Sequence, residues 1–374
     1  MESNVQSVKY NYMKGWIVVF AILFVLAILA GVVFNVTTIG SKKVEIAVSS
    51  SATDVLSNNK VRDILKDKYK VSVKETYYSD NELIKKELLT SNKKIYNGII
   101  FGDKKYLDYY KTPANISLGE KERDTVKTSY SFLTTPLVIY TWDSILNVLV
   151  ERGIVSEVSG TYYITNMNAV LELISGNNKW SDIGLNIEGN INVETESLKP
   201  YNSVAAFYEL LLLSISNGDL SENNLNQVLS NFNEIYSKKN FLSSSDSDLF
   251  DLFLRLGINS KPMIAGYESE IIKFSNEYPE VYATLKDKVK ILYPASTIMS
   301  SYPIATLDDD GALVKSFDDK EIQEIILKEY GLRVDNGTVN YDVSTLNVSI
   351  PATIKNSVDG MKLETYNKMI GYLK

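Results

Sequence analysis

Three short polar segments carry the side chains best suited to bind a small polar molecule. The first, Ser49-Ser50-Ser51-Ala52-Thr53, directly follows the apolar run Val44–Val48. The second, Ser197–Ser203, precedes a long apolar run, and the third is Tyr267-Glu268. Hydroxyl groups and the unpaired N–H groups at the start of a helix bind anions, and a tyrosine ring offers a stacking surface. The segments therefore predict non-covalent binding of a ligand.

Two residue types are absent, which removes whole classes of active site. With His 0 and Cys 0, a Ser-His-Asp triad, a histidine general base, a thiolate zinc site and a cysteine nucleophile are excluded. Ser197 and Lys199 form only an isolated short-range pair, and Asp308–Gly311 lacks the alternating ligands and the glutamate of an EF-hand. We therefore expect no enzyme activity, no catalytic residues, no metal site and no cofactor.

The charge balance is acidic, with Lys+Arg 39 against Asp+Glu 46 and a net charge of -7. A broad nucleic-acid-binding surface needs an excess of basic residues, so we expect no nucleic-acid partner. Residues 1–43 hold four lysines and one glutamate, which leaves a net charge of -10 on the rest. That charge favours an amine or cation as ligand, whereas the serine-rich helix start favours an oxyanion, and both alternatives stay open.

The N-terminal region predicts a membrane anchor. Residues 15–34 read GWIVVFAILFVLAILAGVVF, and no charged residue occurs between Lys14 and Lys42. At about 1.5 Å per residue this run spans roughly the 30 Å of a bilayer core. We interpret it as a transmembrane helix after a short cytoplasmic tail, 1–14, and before a linker, 35–43. A cleaved signal peptide is the alternative, although the run is longer than an ordinary signal sequence and lacks a clean A-x-A site.

Lysine counts do not orient this helix, because two lysines precede it and two follow it. A short basic tail, a single span and a large cysteine-free portion are typical of a signal anchor that presents an extracytoplasmic domain. We therefore expect a single-pass protein of the cell membrane with its C-terminal domain outside the cytoplasm.

From residue 44 onward, strand and helix patterns alternate, which predicts the α/β class. The first three strands are expected at Val44–Val48, Val71–Thr76 and Ile95–Phe101, with a helix after each; Asp103 is expected to cap the helix at Lys104–Lys111. Alternation of this kind within about 70 residues implies a parallel sheet with right-handed crossovers.

Two similar segments, Thr135–Tyr140 and Tyr302–Leu307, each carry a proline at the entry to an extended apolar run. If both strands pass between two lobes, the middle of the chain forms one lobe and its two flanks form the other. The expected limits are 44–135 for the first part of lobe I, 136–302 for lobe II and 303–374 for the return to lobe I.

Seven segments in this order and spacing resemble the type 2 periplasmic binding proteins, the extracellular solute-binding family. They are VEIAVSSSATDVL, FLTTPLVIYTW, KWSDIGLN, VETESLKPYNSVAAFYELL, KPMIAGYESEIIKFS, LYPASTIMSSYPIATLDDDG and EIQEIILKEYGLRVDNG. The resemblance covers most of residues 44–374 and implies a two-lobed α/β ectodomain, behind the transmembrane helix, that closes on a ligand. The lipobox cysteine usual in relatives without an outer membrane is absent, and a transmembrane anchor would replace it.

In open α/β sheets, ligands bind outside the carboxyl ends of the strands, and the resemblance places the same loops in the cleft. The expected ligand-binding residues share a position at such a strand end, at a helix start or at a crossover between lobes. They are Ser50, Ser51, Thr53, Gly102, Thr134, Thr135, Ser197, Tyr201, Asn202, Ser203, Tyr267 and Glu268. For several of them, Glu268 above all, an ordinary capping or turn role is the competing interpretation.

The sequence thus favours a membrane-anchored solute-binding protein. It would capture a small polar solute, with an anion as the first candidate, and present it to an ABC-type permease or to a membrane sensor. The alternative is an interaction or scaffold module that keeps the binding-protein fold without a ligand, since fold does not fix function.

Overall fold

The computed structural model describes residues 41–84, 96–112, 126–196, 203–238, 249–307, 311–334 and 342–372. The predicted membrane helix at 15–34 lies outside these ranges. Within them, no helix combines the length and the apolar character that a membrane span requires.

The strands of the described residues form one network. Their bounds are β1 Lys42–Ser49, β2 Val71–Tyr78, β3 Gly98–Ile100, β4 Thr128–Trp142, β5 Val155–Val158, β6 Thr161–Ile164, β7 Met263–Tyr267, β8 Val289–Pro294, β9 Thr297–Thr306, β10 Arg333–Val334 and β11 Ser357–Val358. The order is β2-β1-β3-β9-β4-β8-β6-β5, with β7 and β10 paired to β4 and β11 paired to β9.

The α-helices cover both faces of this network. Their bounds are α1 Asn59–Asp67, α2 Asp80–Leu83, α3 Lys104–Lys111, α4 Asp143–Glu151, α5 Met167–Ser175, α6 Ser203–Ile215, α7 Glu222–Lys238, α8 Leu249–Leu256, α9 Glu268–Glu277, α10 Pro279–Leu285, α11 Ala312–Ser316, α12 Lys320–Ile325 and α13 Leu363–Tyr372. A single π-helical stretch, Ile326–Tyr330, extends α12.

The N-terminal lobe is the parallel sheet that the alternating pattern predicts. β1 pairs in parallel with β2 on one side and with β3 on the other. The alternating side chains of β1 and the apolar stripe of α1 meet in one core, because a period of two and a period of 3.6 each expose one face. Asn58 caps α1 by accepting from two backbone N–H groups, and Asp103 caps α3 as expected.

Two long strands join the lobes. β4 and β9 pair antiparallel over most of their length. β3 pairs with the C-terminal end of β9, and β10 pairs with the middle of β4. β7 and β8 pair with the second half of β4, from Leu137 onward. The sequence places Pro136 and Pro303 at the starts of strands, but both lie inside these longer ones. Pro136 lies where β4 passes from one sheet to the next, and Pro303 lies opposite a register shift in β4, so a ladder N–H is dispensable at both positions.

Among the residues that the structure describes, the buried apolar side chains form two clusters. One lies on a single face of the N-terminal sheet and includes Val61, Phe132 and Ile326. The other runs from the opposite face of that sheet through the second sheet to α13, where Met369 is fully buried. The C-terminal helix packs against both α3 and α7, so it contacts an element of each lobe.

Candidate functional site

A cavity of about 1010 Å³ lies between helix α3, the joining strands β4 and β9, the end of α6 and the C-terminal segment. Helix α3 and the residue before it contribute Lys104 and Asp103, and the joining strands contribute Thr134, Met299 and Ser301. Residues at the end of α6 and before α7 form a second wall, and residues 357–365 form a third. The expected residue Thr134 thus lines the cavity.

The loop at the end of β1, residues 49–53, is called the serine loop here; it is organised around a carboxylate that the sequence analysis did not single out. The hydroxyls of Ser49 and Ser51 donate to Asp80 Oδ2 at 2.5 and 2.9 Å, and the Gly102 N–H donates to Asp80 Oδ1 at 2.7 Å. Asp80 is 2% exposed. Burial raises the pKa of its carboxyl, and the three hydrogen bonds oppose that rise.

Gly102 is required by the close approach of these groups. A Cβ atom at this position would lie 2.0 Å from Ser51 Oγ and 2.6 Å from Asp80 Oδ2. Any side chain there would force the hydroxyl and the carboxylate apart. The expected contacts of Ser51 and Gly102 are therefore made with a carboxylate of the protein itself.

A second cluster links the lobes beside the cavity. The Lys105 ammonium lies 3.0 Å from Asp103 Oδ2 and 3.2 Å from Glu209 Oε1. It also stands 4.5 Å from the centre of the Tyr366 ring, and Glu209 Oε2 accepts from the Met361 N–H at 2.8 Å. Burial alone would lower the pKa of Lys105, but the two carboxylates outweigh it and raise the pKa. Helix α3, helix α6 and the C-terminal segment therefore meet around a charged lysine.

Tyr267 follows the expected pattern of a strand-end aromatic residue. Its ring is half-buried, its phenol hydrogen-bonds with Ser300, and burial raises its pKa well above the ordinary range. The phenol of Tyr302 lies near Asp103 and Asp80, and burial followed by these carboxylates raises its pKa too. Both phenols therefore stay protonated at physiological pH.

Glu268 has a structural partner. Its carboxylate accepts from Arg333 Nε at 2.8 Å and from Arg333 Nη2 at 2.9 Å, and the Tyr293 hydroxyl donates to it at 2.7 Å. Glu268 is 0% exposed, and it does not line the cavity. Since Arg333 belongs to β10, which pairs with β4, the ion pair fixes α9 to the joining strands. The observed partner of Glu268 is thus a distant arginine and not the helix start on which the competing interpretation rested.

The remaining expected residues occupy different settings. Thr135 accepts from the Ser269 N–H at 3.1 Å and so caps the start of α9. Ser50 is exposed and Thr53 is half-buried at the serine loop. Ser203 begins α6. Ser197, Tyr201 and Asn202 lie outside the described residues, so their ligand contacts stay predictions.

Sequence reasoning missed Asp80, Lys105 and Glu209. Asp80 follows β2 inside a Ser-Asp pair that also fits a simple helix cap, and only the fold brings it to serines 29 and 31 residues away. Glu209 carries a recognisable signal, because it is the single charged residue in the apolar helix SVAAFYELLLLSI. A lone carboxylate in such a helix requires a partner.

Comparison with solved structures identifies the architecture. A protein from Bordetella parapertussis assigned as an extracellular solute-binding protein superposes with a TM-score of 0.56 at 14% identity, over 88% of this chain and 96% of that chain. The Trichodesmium protein FutA, in complex with iron and citrate, superposes with a TM-score of 0.54 at 13% identity, over 89% of this chain and 97% of that chain. An ABC transporter structure from Clostridium perfringens superposes with a TM-score of 0.52 at 13% identity, over 88% of this chain and 97% of that chain. No family model and no curated protein matches the sequence.

The described domain therefore has the two-lobed α/β fold of the type 2 periplasmic binding proteins, as the segment resemblance predicts. The superposition establishes the fold, whereas identities of 13–14% leave the ligand open.

Proposed function

We propose that the protein is a solute-binding protein that encloses a small polar molecule between its two lobes. The observation that carries the proposal is the cavity of about 1010 Å³ at the junction of both lobes and the joining strands. Ligand sites for small molecules are clefts of roughly 300–1,000 Å³ with a few well-placed polar groups. The hydroxyl of Thr134 and the carboxylate of Asp103 are such groups on the lining.

The proposal extends to placement and partner. Residues 15–34 anchor the chain in the cell membrane, the domain lies on the extracytoplasmic side, and the bound solute is presented to an ABC-type permease or to a membrane sensor. The solute-binding and transport proteins among the similar folds support this role. Protease added to intact cells should then remove the domain from the cell surface, whereas a cytoplasmic domain would survive.

A ligand-free interaction module is the second candidate, and a specific observation favours it. Lys105 on the cavity wall is already paired with Asp103 and Glu209, and residues 357–365 close one side. Charged groups on this wall that are paired with each other do not need a solute, and the wall would then serve as a surface for another protein.

Thermal unfolding of the full chain in mild detergent separates the two candidates. The test library contains oxyanions, amino acids, sugars, polyamines, nucleosides and metal ions including ferric citrate. A ligand at about 100 times its Kd adds roughly 2.7 kcal/mol to the free energy of unfolding, so one chemical class should raise Tm by several degrees. A flat response from a cooperatively unfolding sample would reject solute binding and favour the interaction module.

A further inference from the structure

The serine loop that the sequence assigns to an anion already holds one. Three donors converge on the Asp80 carboxylate: the hydroxyls of Ser49 and Ser51, from the end of β1, and the N–H of Gly102, from the end of β3. This is the donor set that would otherwise bind a free oxyanion at the carboxyl ends of parallel strands.

We propose that Asp80 is a built-in anion of this loop, so that the loop does not bind an oxyanion solute. The inference rests on the proposed solute-binding function and narrows its ligand class. A donor occupied by Asp80 is not available to a second anion, and a negative ligand at the loop is repelled by the buried carboxylate. The Gly102 geometry supports this assignment, since the loop closes on the carboxylate too tightly to admit even a Cβ atom.

The neighbouring charges point the same way. Asp103, the residue that follows Gly102 in the chain, lines the cavity. Its partner Lys105 also pairs with Glu209. One ammonium thus faces two carboxylates, so this part of the cleft carries no surplus positive charge to attract an anion. The group of the solute that fits here is a cation or a hydrogen-bond donor, such as an amine.

Chemical rescue tests the built-in anion without knowledge of the natural solute. In the full chain, Asp80→Gly removes the carboxylate and leaves three donors around an empty space. Formate supplies the missing carboxylate. We expect Asp80→Gly to unfold at a lower temperature than wild type, and formate to raise its Tm by several degrees while sodium chloride at the same ionic strength does not. Wild type should show no such response.

Two controls define what is being rescued. Formamide has the size of formate but no charge, and the double variant Asp80→Gly/Ser51→Ala lacks one donor; both should restore less stability. If Asp80→Gly folds only poorly, the yield of folded protein in formate against chloride gives the same comparison.

Equal rescue by formamide, or no rescue by formate, would overturn the inference. So would stabilisation of wild type by sulfate or phosphate that Ser51→Ala abolishes. A failed rescue together with an amine or cation hit in the solute library would reject the built-in anion alone. A successful rescue together with a flat library would reject solute binding alone.

Discussion

At the scale of single residues, the Glu268–Arg333 ion pair is buried and its hydrogen-bonding capacity is largely used. Arg333 also donates to the carbonyls of Pro351 and Ala352 at 2.7 and 3.0 Å. Removing one member of such a pair leaves the other charged, buried and unmatched, whereas water would compensate an exposed pair. The stability of the region between the lobes therefore depends on both residues.

We predict that Glu268→Gln lowers the free energy of unfolding by about 3–5 kcal/mol. Urea unfolding followed by circular dichroism measures the change. The matched control is Asp251→Asn, which breaks an exposed ion pair with Arg255 and should cost less than about 0.5 kcal/mol. If the two variants lose the same free energy of unfolding, burial does not strengthen the contribution of the Glu268–Arg333 pair.

The buried carboxyl of Asp80 predicts a pH dependence with a defined sign. Because its pKa is raised in the folded state, the native protein holds this proton more strongly than the unfolded chain does. Stability from this group is therefore present below the unfolded pKa of about 3.9 and is lost as pH rises through the higher folded value. The difference in unfolding free energy between wild type and Asp80→Asn should fall across that window. A difference that is constant or rises with pH would contradict the assignment.

Residue roles were predictable from sequence only where the partner is local. Asp103 caps α3 two residues away, and its type and position are sufficient for that prediction. Glu268 also sits at a helix start, but its partner Arg333 is 65 residues away, and no local pattern specifies that contact.

At the scale of elements, Gly331 sets how closely two helices approach. It ends the π-helical extension of α12 with a φ of 68°, and a Cβ atom there would lie 2.3 Å from the Ser269 carbonyl oxygen at the start of α9. Gly257 has a similar φ of 72° but no atom within 4 Å of such a Cβ. A substitution at Gly257 therefore tests backbone strain alone, and the same substitution at Gly331 tests backbone strain together with steric contact.

We predict that Gly257→Ala costs about 1–2 kcal/mol through the left-handed backbone alone. Gly331→Ala should cost a further 1–3 kcal/mol or so, because overpacking adds to the same strain. Both values come from denaturant unfolding at one temperature. If the two variants are equally stable, α9 and the extension of α12 can move apart, and the close contact between Gly331 and Ser269 does not contribute to stability.

Element types followed from the sequence more readily than element lengths. The helix at Lys104–Lys111 has the predicted bounds, because a cap and an apolar stripe define both ends. β4 begins at Thr128, seven residues before the predicted Thr135 start. Its first half pairs with β9 on the lobe I side, and that pairing partner lies far along the chain.

At the scale of the whole molecule, the lobes are connected by more than the two long strands. The C-terminal segment pairs with β9 through β11, donates to Glu209 through the Met361 N–H, and packs α13 against α3 and α7. The sequence placed residues 303–374 with lobe I, a limit that stays a prediction. The structure adds contacts to lobe II that arise only once the helices have docked. Closure of the lobes and docking of this segment are therefore expected to be coupled.

The most direct test of the account is calorimetric titration of a solute found by thermal unfolding into wild type and two tryptophan variants. Met299→Trp fills the cavity from its lining, and Val281→Trp adds the same side chain at a position that is 51% exposed on α10. We predict that Val281→Trp binds as wild type does and that Met299→Trp binds at least about tenfold more weakly, a loss of about 1.4 kcal/mol. Equal affinity in all three proteins would contradict binding between the lobes.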